Sequence, residues 1–155
     1  MNKIILIGRS GAGKTTLSQA LMEKEVVYDK TQSVVRRDYI IDTPGEYAET
    51  KILGRALAVF TYEADIVGLL IDADEPYSLF GPNITSSANR EVIGIVTGLT
   101  KKRANPDRAQ RWLELSGCKR IFRVDSITGE GIEELRDFLK NFDPKAEFRK
   151  KHYGK

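Results

Sequence analysis

The chain has 155 residues, a formal net charge of +3, one cysteine and one histidine. That length is enough for one domain with an ordinary apolar core, while a disulfide framework and any Cys/His metal cluster are excluded. No apolar stretch approaches the ~18 residues of a membrane span, and the single thiol, Cys118, fits a reducing, cytoplasmic setting.

Lys3 to Ile7 is an apolar run of the kind that a strand buried on both faces requires. Because this run ends in a glycine-rich loop, the N-terminus is not expected to be a secretory leader. Gly8 to Thr15 reads G-R-S-G-A-G-K-T. The segment after it, Thr16 to Met22, has Leu17, Ala20 and Leu21 at helical spacing. A strand, this loop and a helix in that order form a phosphate-binding loop. Gly8, Gly11 and Gly13 let the backbone wrap around phosphate oxygens, and Ser10, Ala12, Lys14, Thr15 and Thr16 complete the cradle. The helix N-terminus adds positive potential. Lys14 is placed to reach the β and γ phosphates, and the Thr15 hydroxyl to ligate Mg²⁺. A nucleoside triphosphate is the expected ligand.

Further apolar runs predict strands at Tyr39–Ile41, Ile66–Ile71, Val92–Val96 and Arg120–Val124. Helices are expected over 49–63, 106–115 and 132–142, the second capped by Asn105, opened by Pro106 and stopped by Gly117. Residues 74–89 read as a turn or short helix broken at Gly81-Pro82, followed by a stretch without clear periodicity. Alternating strands and helices predict a three-layer α/β fold of the P-loop NTPase type, with about five mainly parallel strands. Residues 1–143 would form the nucleotide-binding domain and 144–155 a basic tail. In Lys145–Lys155, five lysines and arginines face one glutamate. Such a tail can touch RNA, a membrane surface or a protein; the favoured reading is a solvated terminus, so neither RNA nor DNA is an expected partner.

Asp42-Thr43-Pro44-Gly45 directly follows Ile40-Ile41. An aspartate at the end of a neighbouring strand can hold Mg²⁺ directly or through water, and the Gly45 N–H can approach a γ-phosphate oxygen. Together, the phosphate loop and D-T-P-G resemble the Ras-like P-loop GTPases. Lys30-Thr31-Gln32 and Asp42-Thr43-Pro44-Gly45-Glu46-Tyr47 at this short spacing resemble the EutP/PduV family more narrowly. That family consists of small P-loop proteins associated with bacterial microcompartments for ethanolamine and propanediol utilisation. The resemblance implies a bacterial, cytoplasmic protein with shell or enzyme components as partners. It places Thr31 at a switch position, where it meets Mg²⁺ or the γ-phosphate; an ordinary loop threonine is the other reading. Only ten residues separate Thr31 from Asp42, so the antiparallel edge strand usual in Ras-like domains is expected to be missing or reduced.

Guanine is read in GTPases by an [N/T/S]-K-x-D motif after the strand here formed by Val92–Val96. The aligned residues are Thr97-Gly98-Leu99-Thr100, which lack both the lysine and the aspartate. Lys101 and Lys102 could cover a base but cannot accept a hydrogen bond; Asp107 or Asp125 could substitute from a shifted loop. Asp125 to Ile132 resembles the GTPase loop whose backbone N–H, here that of Ser126, faces the base; it also reads as a helix start capped by Thr128. Glu46 stands where a water-orienting glutamine is common, so rapid hydrolysis is not expected. ATP and GTP both remain candidate cofactors with Mg²⁺. The functional readings are a slow NTPase or switch; an acetate kinase-like phosphotransferase, for which Arg9, Arg36 and Arg37 are the available cations; or a scaffold without turnover.

Overall fold

A computed structural model describes residues 2–9, 11–28, 39–42 and 64–146. Strands are β1 (Ile4–Ile7), β2 (Ile40–Asp42), β3 (Ile66–Asp72), β4 (Glu91–Thr97) and β5 (Arg120–Arg123). The helices are α1 (Lys14–Tyr28), α2 (Pro106–Ser116) and α3 (Ile132–Asn141). The sheet order is β2-β1-β3-β4-β5, and every neighbouring pair is parallel. The segment in which the edge strand is expected to be missing or reduced, and the helix expected over 49–63, lie outside the described residues.

Side chains alternate across this sheet, as the two-residue period of a strand requires. Ile5, Ile7, Val67, Leu69 and Ile71 face α2, which answers with Ala109 and Leu113. Ile4, Leu6, Ile66, Leu70 and Ile95 face the other way, against Leu17 and Leu21 of α1 and Leu135 and Leu139 of α3. Three layers result. Burying an Ile or Leu contributes about 1.5–3 kcal/mol, whereas an exposed ion pair such as Arg123–Asp107 contributes at most about 1 kcal/mol. The two apolar faces therefore hold the strand ends in place, and with them the loops at their carboxyl ends.

The elements start and stop for local reasons. The Asn105 side chain accepts the Arg108 N–H at 3.1 Å, Pro106 opens α2, and Gly117 ends it at φ 111°. Helix α3 corrects one expectation: its N-cap is Gly131, without a side-chain cap, while the Thr128 hydroxyl accepts the Glu130 N–H at 3.3 Å. Thr128 shapes the turn before the helix and does not cap it. Between β3 and β4, Ile84–Ser87 form a short 3-10 helix and Phe80 turns into the core. At the other end of the chain's path, the Asn2 side-chain amide donates to the carbonyls of Leu139 and Phe142, at 2.8 and 2.6 Å, tying the end of α3 to the start of β1.

Cys118 is buried beneath the end of α2, and burial, with a smaller push from Glu91, raises its thiol to about 12. At pH 8 only about one thiol in ten thousand would be ionised, and the thiolate is the reactive form. Iodoacetamide is therefore expected to leave the native protein unlabelled and to modify Cys118 fully once the chain is unfolded. Mass spectrometry showing rapid native labelling would contradict this burial.

Candidate functional site

Strand β1 delivers the chain to Gly8 against β3. A side chain at Gly8 would begin 3.0 Å from the Leu70 carbonyl oxygen. The loop then closes on itself, with the Ala12 N–H donating to the Arg9 carbonyl at 2.9 Å. Gly13 adopts φ 91°, a left-handed conformation that glycine takes without strain, and its carbonyl accepts the Leu17 N–H at 2.8 Å as α1 begins. Lys14 is buried, and its ammonium curls back over the loop to donate to the carbonyls of Gly8 at 2.8 Å and Arg9 at 3.3 Å. Thr15 and Thr16 are exposed at the helix start, and the first turn of α1 carries no acidic residue to cancel its positive end. The result is an anion-attracting cradle with one buried ammonium inside it.

The neighbouring strand ends fix this cradle from the side. The Thr97 hydroxyl, at the end of β4, donates to the Ala12 carbonyl at 2.6 Å in a buried bond. Thr97 is paired in register with Asp72, the last residue of β3. The Asp72 carboxylate accepts from the Lys101 ammonium at 2.5 Å and from the Asp74 N–H at 3.1 Å. Burial raises this carboxyl above its ordinary value, and Lys101 offsets only part of that; the same contact raises the Lys101 ammonium. Gly98 makes room for the pair. It sits at φ 67°, and a Cβ there would lie within 2.4 Å of an Asp72 carboxylate oxygen.

Next along the edge, Asp125 follows β5 and is almost wholly buried. Its Oδ2 accepts the Thr100 hydroxyl at 2.7 Å and the Thr100 N–H at 3.1 Å. Its Oδ1 accepts the N–H groups of Ile127 at 2.8 Å and Thr128 at 3.1 Å. Burial pushes the carboxyl up, yet the bonds from Thr100, Thr128 and Ile127 outweigh it and hold Asp125 below its ordinary range. Asp125 thus joins the turn after β4 to the loop after β5 as a carboxylate.

The structure brings together Gly8, Gly11, Ala12, Gly13, Lys14, Thr15 and Thr16 as expected of the loop. Asp42 closes β2 in register with Leu6, two residues before Gly8, so its backbone reaches the same end of the sheet. Ser126 lies at the opposite flank, partly exposed, within the loop that Asp125 organises. Ser10, Thr31, Gly45 and Glu46 lie outside the described residues, as do Arg36 and Arg37. Of the two aspartates able to replace the missing base reader, Asp107 pairs with Arg123 at 2.7 Å, and Asp125 is engaged by four donors. Arg9 stacks its guanidinium 4.5 Å over the Tyr77 ring, with Nε and Nη2 buried and unpaired. Sequence reasoning missed the Thr97 tether and the Asp72–Lys101 pair. The only sequence signal for the tether was that Thr97 occupies the first position of the altered base motif.

A parallel sheet with this loop between β1 and α1 defines a domain of the P-loop NTPase fold. The likeness to solved structures agrees. The FeoB G-domain from Methanococcus jannaschii aligns with a TM-score of 0.57 at 20% identity, over 90% of this chain and 95% of that one. Elongation factor SelB from Methanococcus maripaludis, in complex with the GTP analogue GPPNHP, gives 0.59 at 22% identity over 92% of this chain but 34% of that one. The chain belongs to the PduV-EutP family, whose model (ethanolamine utilisation - propanediol utilisation) matches residues 1–141. It is 40% identical over 142 residues to the propanediol utilization protein PduV of Citrobacter freundii, covering 90% of this chain and 93% of that protein. It is 27% identical over 150 residues to the probable acetate kinase EutP of Escherichia coli K12, covering 95% and 94%. No helix among the described residues is long and apolar enough to cross a membrane.

Proposed function

We propose that this protein is a Mg²⁺-dependent nucleotide-binding switch or slow NTPase serving ethanolamine or propanediol utilisation in the bacterial cytoplasm. The observation that carries the reading is Lys14, a buried ammonium held inside the loop on two backbone carbonyls. Phosphate oxygens are stronger acceptors than carbonyls, so an incoming triphosphate would draw Lys14 away from Gly8 and Arg9. Thr15, at the start of α1, and Asp42, at the end of β2, supply the hard oxygen ligands that suit Mg²⁺. Thr31, Gly45 and Glu46 would respond to the γ-phosphate as a switch, within a nucleotide domain of 1–143 followed by the tail. Partner proteins would be microcompartment shell or enzyme components, in keeping with the family.

Phosphoryl transfer to acetate is the second reading, supported by the name of the EutP relative. Against it, Arg9 turns its free edge into the protein beside Tyr77 and does not offer it to a carboxylate. Calorimetry with ATP and GTP, with Mg²⁺ and with EDTA, tests binding; phosphate release and acetyl phosphate formation then separate the outcomes. We expect Mg²⁺-dependent binding, with turnover far below the ~10 s⁻¹ typical of enzymes. Acetyl phosphate formed at such a rate or above would replace this reading with the kinase.

A further inference from the structure

We infer that Asp125 is a latch between two loops and not a reader of the base, so that the site accepts adenine and guanine nucleotides with similar affinity. This rests on the nucleotide reading above. Phosphates in the loop direct the nucleoside along the carboxyl ends of the strands. The side of β4 and β5 carries both the altered base motif and the Ser126 loop, and the Thr97 hydroxyl ties the cradle to it.

Choosing guanine over adenine requires an acceptor pair facing guanine's N1–H and 2-amino group, donors that adenine does not present together. Among the described residues, the buried carboxylates along this edge are Asp72, Glu75 and Asp125, and Glu75 turns back to accept the Asp72 N–H at 3.2 Å. Asp72 holds Lys101 with one oxygen and the Asp74 N–H with the other. Asp125 receives four donors, two on each oxygen, which fills the roughly four lone-pair positions a carboxylate offers. Turning it toward a base would break two of those bonds and release one loop from the other. Thr100 stands at the position of the aspartate in the GTPase base motif, and both its donors go to Asp125.

Ser126 is partly exposed in the latched loop, and its N–H takes part in none of these bonds. That N–H is a donor, and guanine O6 and adenine N1 are both acceptors. Asp125 therefore positions a loop whose remaining group does not distinguish the purines.

Calorimetry with Mg²⁺-ATP, Mg²⁺-GTP and Mg²⁺-XTP tests this on the full chain, with Lys14→Ala as the control for the site. The ATP and GTP dissociation constants of the natural protein should agree within about tenfold, because the 10⁴–10⁵-fold rejection of a mismatched partner needs a site built to hydrogen-bond it. A GTP preference above about a hundredfold overturns the inference while leaving the nucleotide reading intact. Asp125→Asn should weaken ATP and GTP by the same factor, because it loosens the loop that serves both. If instead it loses GTP selectively and gains XTP, whose 2-oxo group accepts from the new amide, Asp125 reads the base and the inference fails. Should Asp125→Asn fail to fold, Thr100→Val removes one donor to the same carboxylate and should likewise leave the ATP-to-GTP ratio unchanged. Binding of neither nucleotide by the folded natural protein overturns the underlying reading, and this one with it.

Discussion

Lys14→Ala is expected to weaken Mg²⁺-nucleotide binding by about a hundredfold or more while changing the stability of the fold less. The binding loss follows from what the ammonium would do. A charge-assisted hydrogen bond contributes about 1.5–3 kcal/mol, and about 2.8 kcal/mol corresponds to a hundredfold in affinity. The smaller effect on stability follows from where it rests without ligand. Lys14 is buried, with the carbonyls of Gly8 and Arg9 among its partners, so removing it loses those bonds but also relieves the desolvation of a charge. Because these contributions oppose each other, we expect the change in unfolding free energy to stay within about 1–2 kcal/mol. Titration calorimetry beside urea denaturation reads both quantities. Binding retained within tenfold would mean that the loop does not hold phosphate through this lysine.

The strands were legible because β1, β3 and β4 are continuous apolar runs, which a sheet covered on both faces demands. Their ends moved by a residue or two. Asp42 proved to be the last residue of β2, and α1 begins at Lys14, inside the phosphate loop itself. Helix α2 was readable to its caps, since Asn105, Pro106 and Gly117 act through local backbone geometry. The site divides along the same line. The phosphate cradle is a contiguous segment and could be read directly. Asp72 with Lys101, and Asp125 with Thr100, are pairs separated by 29 and 25 residues, joined only when β3, β4 and β5 align. No periodicity or local motif announces such contacts, and the Asp125 loop read as a base-facing loop and as a helix start capped by Thr128, with nothing to mark its bonds to Thr100.

Gly98→Lys would restore the lysine of the GTPase base motif at its position, yet it is expected to destabilise the protein by about 2–3 kcal/mol. Two costs combine. A residue with a Cβ in the left-handed conformation of Gly98, φ 67°, costs about 1–2 kcal/mol. That Cβ would also meet the Asp72 carboxylate and drive it from Lys101 and the Asp74 N–H, breaking a pair whose carboxylate is buried but whose ammonium is about half exposed, at about 1 kcal/mol after solvent screening. In an Asp72→Ala background the second cost disappears, and the same substitution should take only about 1–2 kcal/mol. Urea denaturation of the two single variants and the double variant gives this coupling directly. Equal costs in both backgrounds would mean that the turn after β4 rearranges freely, and that the missing lysine is an isolated loss. The expected coupling says otherwise: Gly98, Asp72 and Lys101 form one arrangement, in which the charge of the missing lysine enters from three residues further along and is bound to the end of β3.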